Sequence, residues 1–308
     1  MSVSSRWLAR ELAFKDASLR GFWPLQGDLL CHTGMSRHAS PCPATYPPTA
    51  SASPTHGLSV EGGRRCWRVG AAAESPPILM AGAATDFSYE YTSSFSASCW
   101  FCRDADATFS LLPLLCKQDG TLATPAGWLL YCNYDGTNCY VGLQLVDNGV
   151  GGITAFSASL VKGTYLKSQR WVHALATYDG AGQVRVYLDG TLVTDGTSSN
   201  SAGFSTQVTS SPLLIGGGVT GLSAVSAATS TCLAMARVWD RCLSDADAAS
   251  LYRRDRRATG WRTSYDAPVT PPTSLQGSLT FFLPAKVTPG PGSAPLLVAG
   301  KVTASGSV

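Results

Sequence analysis

The sequence predicts an all-β chain: a two-sheet antiparallel jelly-roll sandwich with one short C-terminal helix and extended terminal arms. Three observations predict it. Val184, Val186 and Leu188 alternate with Gln183, Arg185 and Tyr187, a period of two that assigns one set to a core and the other to water. This run and the preceding Trp171–Tyr178 each end in Asp-Gly, which suits tight type I′ hairpins because both central residues need positive φ. Finally, the chain has 31 Gly and 18 Pro, and its only glutamates are Glu11, Glu61, Glu74 and Glu90. That composition fits many turns between short strands and excludes long Glu- and Lys-rich helices.

The elements follow in order. Residues 1–19 form an N-terminal arm with a short helix, Ser4 or Ser5 capping it ahead of the apolar Trp7, Leu8 and Leu12. Gly21-Phe22-Trp23-Pro24-Leu25 is a first strand, and residues 31–58 are a Pro-, Ser- and Thr-rich loop. Strands are expected near 64–69, 84–91, 95–102, 109–117, 126–133, 138–146, 151–161, 171–178, 183–189, 191–195, 211–216 and 231–239. Asp-Gly pairs starting at Asp119, Asp135, Asp179, Asp189 and Asp195 punctuate them. A helix follows residue 243, with Ser244 as N-cap, Asp245 and Asp247 in its first turn, Leu251 and Tyr252 on an apolar edge, and Arg253 and Arg254 closing it.

The arginines 253, 254, 256, 257 and 262 form a basic cluster interrupted by Asp255. It reads as a solvated helix end or as a contact for a polyanionic partner. The sandwich is assigned to residues 20–255, and 256–308 to a linker and a strand-forming C-terminal arm. The arm holds two apolar runs, one with Phe281, Phe282 and Leu283 and one with Leu296, Leu297 and Val298, separated by Pro-Gly-Pro-Gly. Two isolated strands are marginal in water. They are stabilised either by adding to another subunit's sheet edge or by packing on their own domain.

Only 14% of residues are charged, and the net charge of +3 is too small to argue for nucleic acid. The first residues contain no apolar signal-peptide core, and no run reaches the ~18 apolar residues of a membrane span. The protein is expected to be made in a cytoplasm, its ten cysteines mostly thiols.

Five phrases of the chain resemble the laminin-G-like, concanavalin A-like jelly roll. They are Phe22-Trp23-Pro24-Leu25-Gln26-Gly27-Asp28, Phe95–Phe101, Trp171–Gly180 with Val184–Gly190, Leu214-Ile215-Gly216-Gly217, and Met235–Tyr252 with Arg241, Leu243, Ser244 and Tyr252 in place. The resemblance covers about residues 20–255 and implies two packed antiparallel sheets of roughly 12–14 strands. The fold hosts lectins, glycan hydrolases and inert modules, so it does not by itself imply a function.

Chemistry is read from the residues. Glycoside hydrolysis needs two carboxyl groups flanking the scissile bond. Relatives that cleave glucans carry Glu-x-Asp-x-x-Glu, and no Glu follows residue 90 here. No nucleophile elbow or P-loop occurs. His173 reads as packed or hydrogen-bonded within the sandwich; His32, His38 and His56 fall in the Pro-rich region. The chain is therefore expected not to be an enzyme and to use no cofactor. Cys99 and Cys102 have CxxC spacing, but positions i and i+3 of a strand point to opposite faces. A two-residue turn at Asp135-Gly136 would oppose Cys132 and Cys139, within disulfide reach. Calcium, often bound in the family, is not expected: Gln26 stands where an Asp is usual and Asp28 is alone. A sugar site needs an exposed aromatic beside polar groups. Tyr134 with Asn133 and Asp135 at a hairpin tip is the candidate, Tyr165 and Trp261 being others; Trp23, Trp100, Trp171 and Trp239 read as core.

These readings lead to an expected function. It is a non-enzymatic structural and interaction protein of a virion (a phage head decoration, fibre or tail component). Its terminal arms would anchor it to other virion subunits or to its own copies, with no membrane partner. The alternative is a carbohydrate-binding module for host surface glycans.

Overall fold

The computed structural model describes residues 16–25, 31–33, 37, 39–41, 58–61, 64–69, 79–103, 112–121, 124–134, 138–146, 152–156, 160–161, 170–197, 211–217 and 231–259. The chain divides into two compact units, Met1–Asp266 and Ala267–Val308. The second unit, with arm residues Phe281, Phe282, Leu283, Leu296, Leu297 and Val298, lies outside the described residues, as do residues 1–15 of the expected N-terminal arm; at its end the expectation is corrected, because residues 17–18 turn and Leu19 already begins a strand.

In chain order the strands are β1 (Leu19–Trp23), β2 (Ala39–Pro41), β3 (Leu58–Glu61), β4 (Arg64–Val69), β5 (Leu79–Ala81), β6 (Phe95–Arg103), β7 (Leu112–Thr121) and β8 (Thr124–Tyr134). They continue as β9 (Asn138–Val146), β10 (Gly152–Phe156), β11 (Leu160–Val161), β12 (Trp171–Tyr178), β13 (Gln183–Leu188), β14 (Thr191–Thr197), β15 (Leu213–Ile215) and β16 (Thr231–Trp239), followed by helix α1 (Asp245–Thr259). Two eight-stranded antiparallel sheets result. The first runs β14-β13-β12-β6-β16-β4-β3 with β1 also on β16; the second runs β10-β9-β8-β7-β15-β5-β2 with β11 also on β9. This is the expected sandwich, built from sixteen described strands rather than the roughly 12–14 the resemblance implied. α1 continues past residue 255, the expected end of the sandwich, and closes with Arg256 and Arg257 in its last turn.

The main core lies between the sheets. Phe95, Phe101, Tyr178 and Val186 of the first meet Trp128, Leu130, Leu143 and Ile215 of the second. The Phe95 and Trp128 rings are 5.3 Å apart across the layer. At the rim the Trp23 indole donates to the Arg37 carbonyl at 2.8 Å, and the Lys117 ammonium, buried on β7, donates to the carbonyls of Ala84 and Ser211.

A second core lies on the other face of the first sheet. There Trp100, Trp171, Leu175, Tyr187 and Trp239 are covered by Ala248, Leu251 and Tyr252 of α1. All eight residues of β12 are consequently buried. This corrects the expectation that one face meets water for all of β12 and for Tyr187 of β13, which is fully buried with its hydroxyl donating to Asp245 at the start of α1 at 2.7 Å; Gln183 and Arg185 of β13 stay partly exposed, as their alternation implies. All four tryptophans read as core are indeed buried, Trp23 between the sheets and Trp100, Trp171 and Trp239 under the helix.

A bulge in β16 sets which side chains reach the helix. The register shifts between Ala234 and Arg237, with Met235 at φ 51°. One extra residue reverses the phase of alternation. Ala234, Met235 and Trp239 join the outer cluster, and Ala236 and Val238 the inner one.

Turn chemistry holds in one place and fails in others. Asp189 (φ 49°) and Gly190 (φ 77°) both take positive φ between the paired Leu188 and Thr191, as a type I′ turn requires. Asp179-Gly180 instead begins a four-residue connection in which Asp179 Oδ1 accepts from the amides of Ala181 and Gln183, at 2.7 and 2.9 Å. Asp119-Gly120 and Asp195-Gly196 lie inside β7 and β14, paired across their ladders.

Residues 84–91 form turns rather than a strand. Asp86 Oδ2 accepts from the Ala83 amide at 2.8 Å, and Phe87 takes φ 60°. The sheet position is supplied by β5, and the Pro-rich region contributes β2 and β3.

The β8–β9 register also differs from expectation. Cys132 pairs with Val141 and Cys139 with Tyr134, because the connection is longer than two residues. Cys132 therefore does not oppose Cys139; it is a buried thiol of the main core.

Candidate functional site

Several described polar groups meet where α1 joins the first sheet. Ser244 caps the helix reciprocally with Asp247: Ser244 Oγ accepts from the Asp247 amide at 3.2 Å, and the Ser244 amide donates to Asp247 Oδ2 at 3.0 Å. This is a capping box with Asp in place of the usual Glu. Arg241 donates to Asp247 at 2.9 Å and to Asp16 at 3.0 Å, tying the helix start to the chain just before β1. The Arg241 guanidinium, with the Ser244 groups, holds the Asp247 carboxyl down at about 2 despite partial burial. Asp16, Leu19, Trp239, Arg241, Ser250 and Arg254 are among the residues lining a cleft of ≈ 260 Å³ at this junction.

Beneath the last turns of α1 sits a buried polar group. Arg237 donates twice to Asp255, at 2.7 and 2.9 Å, with the side chains 1% and 0% exposed. The Trp100 indole donates to the same carboxylate at 2.9 Å, and the Arg237 guanidinium lies 4.5 Å over the Phe22 ring. Fork geometry and a satisfied carboxylate are what make such a buried pair tolerable.

His173 sits beside it, its ring 5.1 Å from Trp100 and 6.3 Å from Tyr252. It is fully buried, and neither ring nitrogen has a hydrogen-bond partner. Burial pushes its pKa down to about 4, so the imidazole is neutral near pH 7. Of the two expectations, packing holds, on the helix-covered face, and a hydrogen-bonded ring does not. A ring closed off in this way has no route to a substrate.

The described aspartates are engaged in the fold. Asp86 pairs with Arg37, Asp240 with Arg20, Asp189 accepts from the His173 amide, and Asp179 holds its own turn. With Asp16, Asp245, Asp247 and Asp255, these are all the aspartates whose side chains are described. Among the described residues no group of three His, Cys, Asp or Glu could hold a metal ion.

The sequence-derived sugar residues are only in part described. Asn133 and Tyr134 are the last residues of β8, opposite Tyr140 and Cys139; Asp135 lies outside the described residues. So do Gln26, Asp28, His38, His56, Tyr165, Trp261 and Arg262. Arg253, Arg254, Arg256 and Arg257 are exposed on α1, whereas the Asp255 between them faces the sheet. Sequence reasoning missed the Arg237–Asp255 pair. Its one local signal was that acid inside a run of arginines, one turn beyond Tyr252 and Leu251.

Two packed antiparallel sheets with this strand order define a concanavalin A-like sandwich. The family model of the concanavalin A-like lectin/glucanases superfamily (Laminin_G_3) matches residues 81–249, and the chain belongs to that family. Among curated proteins none matches it in sequence. Among solved structures it is similar to the binding domain of Paraclostridial Mosquitocidal Protein 1, with TM-score 0.56, 12% identity, and coverage of 76% of this chain and 52% of that one. It is also similar to the binding domain of botulinum neurotoxin DC in complex with SialylT (0.54, 11%, 77% and 51%). A third is the receptor binding domain of botulinum neurotoxin D (0.54, 12%, 77% and 53%). The chain spans about half the length of these structures, and the likeness is one of fold.

Proposed function

We propose that this chain is a non-enzymatic interaction protein, its sandwich a rigid platform, and that it serves as a structural component of a virus particle. In that reading it is made in the host cytoplasm. It is held in a phage head, fibre or tail by contacts of its terminal arms with other virion subunits or with its own copies. The observation that supports a non-catalytic platform is the engagement of the described aspartates. Glycoside hydrolysis needs two carboxyl groups positioned to trade protons across a bond, whereas each aspartate side chain described is spent on a turn, a cap or an ion pair. The arm reading is supported by the separation of residues 267–308 as their own unit and by their two apolar runs.

Deleting 267–308 tests the arm. Incorporation into particles, or self-association followed by sedimentation velocity, is expected to be lost while the unfolding transition of the remainder persists. Assembly at the wild-type level by the truncated chain would sink the arm reading.

A second reading, carbohydrate binding, is favoured by the hairpin end at Asn133, Tyr134 and Asp135 and by the similar toxin domain whose title records a complex with SialylT. A glycan array on the full chain discriminates the two. Binding that Tyr134→Ala abolishes supports the sugar site; no binding at millimolar sugar leaves the structural role alone.

A further inference from the structure

The strand geometry of Cys99 and Cys102 keeps them apart, as expected from their spacing. Cys99 and Cys102, three apart on β6, fall on opposite faces, Cys99 in the main core and Cys102 in the core under α1. Burial pushes the Cys99 thiol up to about 12. Cys102, in contrast, stands directly opposite Cys232 of β16, and both belong to the same helix-covered cluster. Directly opposed residues of an antiparallel pair have Cα atoms about 4.5–5.5 Å apart, inside the ~4.4–6.8 Å range of disulfides. Cys66 of β4 shares the cluster, while Cys116 and Cys132 belong to the second sheet. In the structure Cys102 and Cys232 are both thiols.

We propose that Cys102 and Cys232 are a redox pair that closes into a cross-strand disulfide between β6 and β16 when the chain folds in an oxidising medium. The oxidant is a small-molecule disulfide such as oxidised glutathione. One cysteine thiolate attacks it, expelling one glutathione thiolate and leaving a mixed disulfide. The second cysteine attacks that bond and expels the other. Two protein thiols become one disulfide, one glutathione disulfide becomes two glutathione thiols, and the two protons lost by the protein are taken up by the glutathiones.

α1 controls access to the pair. Cys102 and Cys232 are at most 1% exposed beneath a cluster that includes Ala248, Leu251 and Tyr252. Exchange needs an approaching thiol or disulfide, so the bond forms before the helix docks and is shielded once it has. The closed bond would join two central strands of the first sheet across a chain segment that contains most of the second.

The experiment uses the full chain, unfolded in urea with reductant, then refolded with reduced and oxidised glutathione, alkylated and mapped by mass spectrometry. The expected result is a peptide pair linked through Cys102 and Cys232, retained in Cys66→Ser, lost in Cys102→Ser, and accompanied by a higher urea midpoint that reverts on reduction of the unfolded chain. Alkylation of both cysteines after oxidative refolding, or a bond from Cys102 to any other cysteine, overturns the proposal. Native reduced protein in the same mixture is expected to close the bond far more slowly; equal rates overturn the shielding by α1.

Discussion

The carboxylate of Asp255 receives both arms of the Arg237 guanidinium in a layer where neither side chain meets solvent. One residue comes from the bulged strand β16 and the other from the last turns of α1, so the pair pins the helix to the sheet. Removing one partner leaves an uncompensated buried charge. Asp255→Ala is expected to cost about 3–5 kcal/mol, read from urea unfolding. A double substitution, Arg237→Met with Asp255→Leu, is expected to recover most of that loss. A single variant as stable as wild type would show that the pair does not hold the helix.

His173 makes stability depend on pH. Its folded pKa, about 4, lies below the ordinary 6.5 because burial disfavours the imidazolium. Below 6.5 the unfolded chain binds a proton that the folded chain refuses. Stability is therefore complete above about 6.5, falls as pH drops toward 4, and levels off once the folded ring is also protonated. The shift corresponds to roughly 3 kcal/mol. Urea midpoints measured between pH 7 and pH 4 are expected to fall in wild type and to fall less in His173→Phe. Parallel curves would assign the slope to other groups.

Below that window Asp247 takes over. Its carboxyl is held at about 2 by Arg241 and Ser244, so its contribution is present above the ordinary 3.8 and is lost as pH falls through about 2. Ser244→Ala removes the oxygen that accepts from the Asp247 amide. It is expected to cost about 1 kcal/mol, measured at pH 7, where the carboxylate is ionised. An unchanged midpoint would mean that the helix start is held by Arg241 alone.

Gly190 packs closely against α1. Its φ is 77°, and a Cβ there would sit 2.8 Å from Tyr252 Cβ and 3.2 Å from Ala249 Cα. Gly190→Ala adds about 1–2 kcal/mol of left-handed backbone strain and pushes the helix outward as well. Thermal unfolding should show a lowered midpoint, and near-UV circular dichroism a change in the Trp100 and Tyr252 environment. A native spectrum and midpoint would rule out the contact.

Local chemistry made much of the fold legible. Val184, Val186 and Leu188 do face the main core, Asp189-Gly190 does turn with two positive φ values, and Ser244 does cap α1. Each depends on residues adjacent in the chain. The register at Cys132 and the role of Asp179-Gly180 were not legible, because loop length rather than turn composition sets strand pairing.

The chain by itself therefore determined most of the strands, though not β2, β3 or β5, together with the one C-terminal helix described and the family to which they belong. Alternation and capping are local, and they survive in any arrangement of the elements. Only the tertiary structure decided that the outer face of β12 is dry, that Arg237 points at Asp255, and that Cys102 stands opposite Cys232. A period of two separates the faces of a strand but does not say what covers either. That depends on a helix dozens of residues away and on one extra residue in β16, which reverses every side chain beyond it.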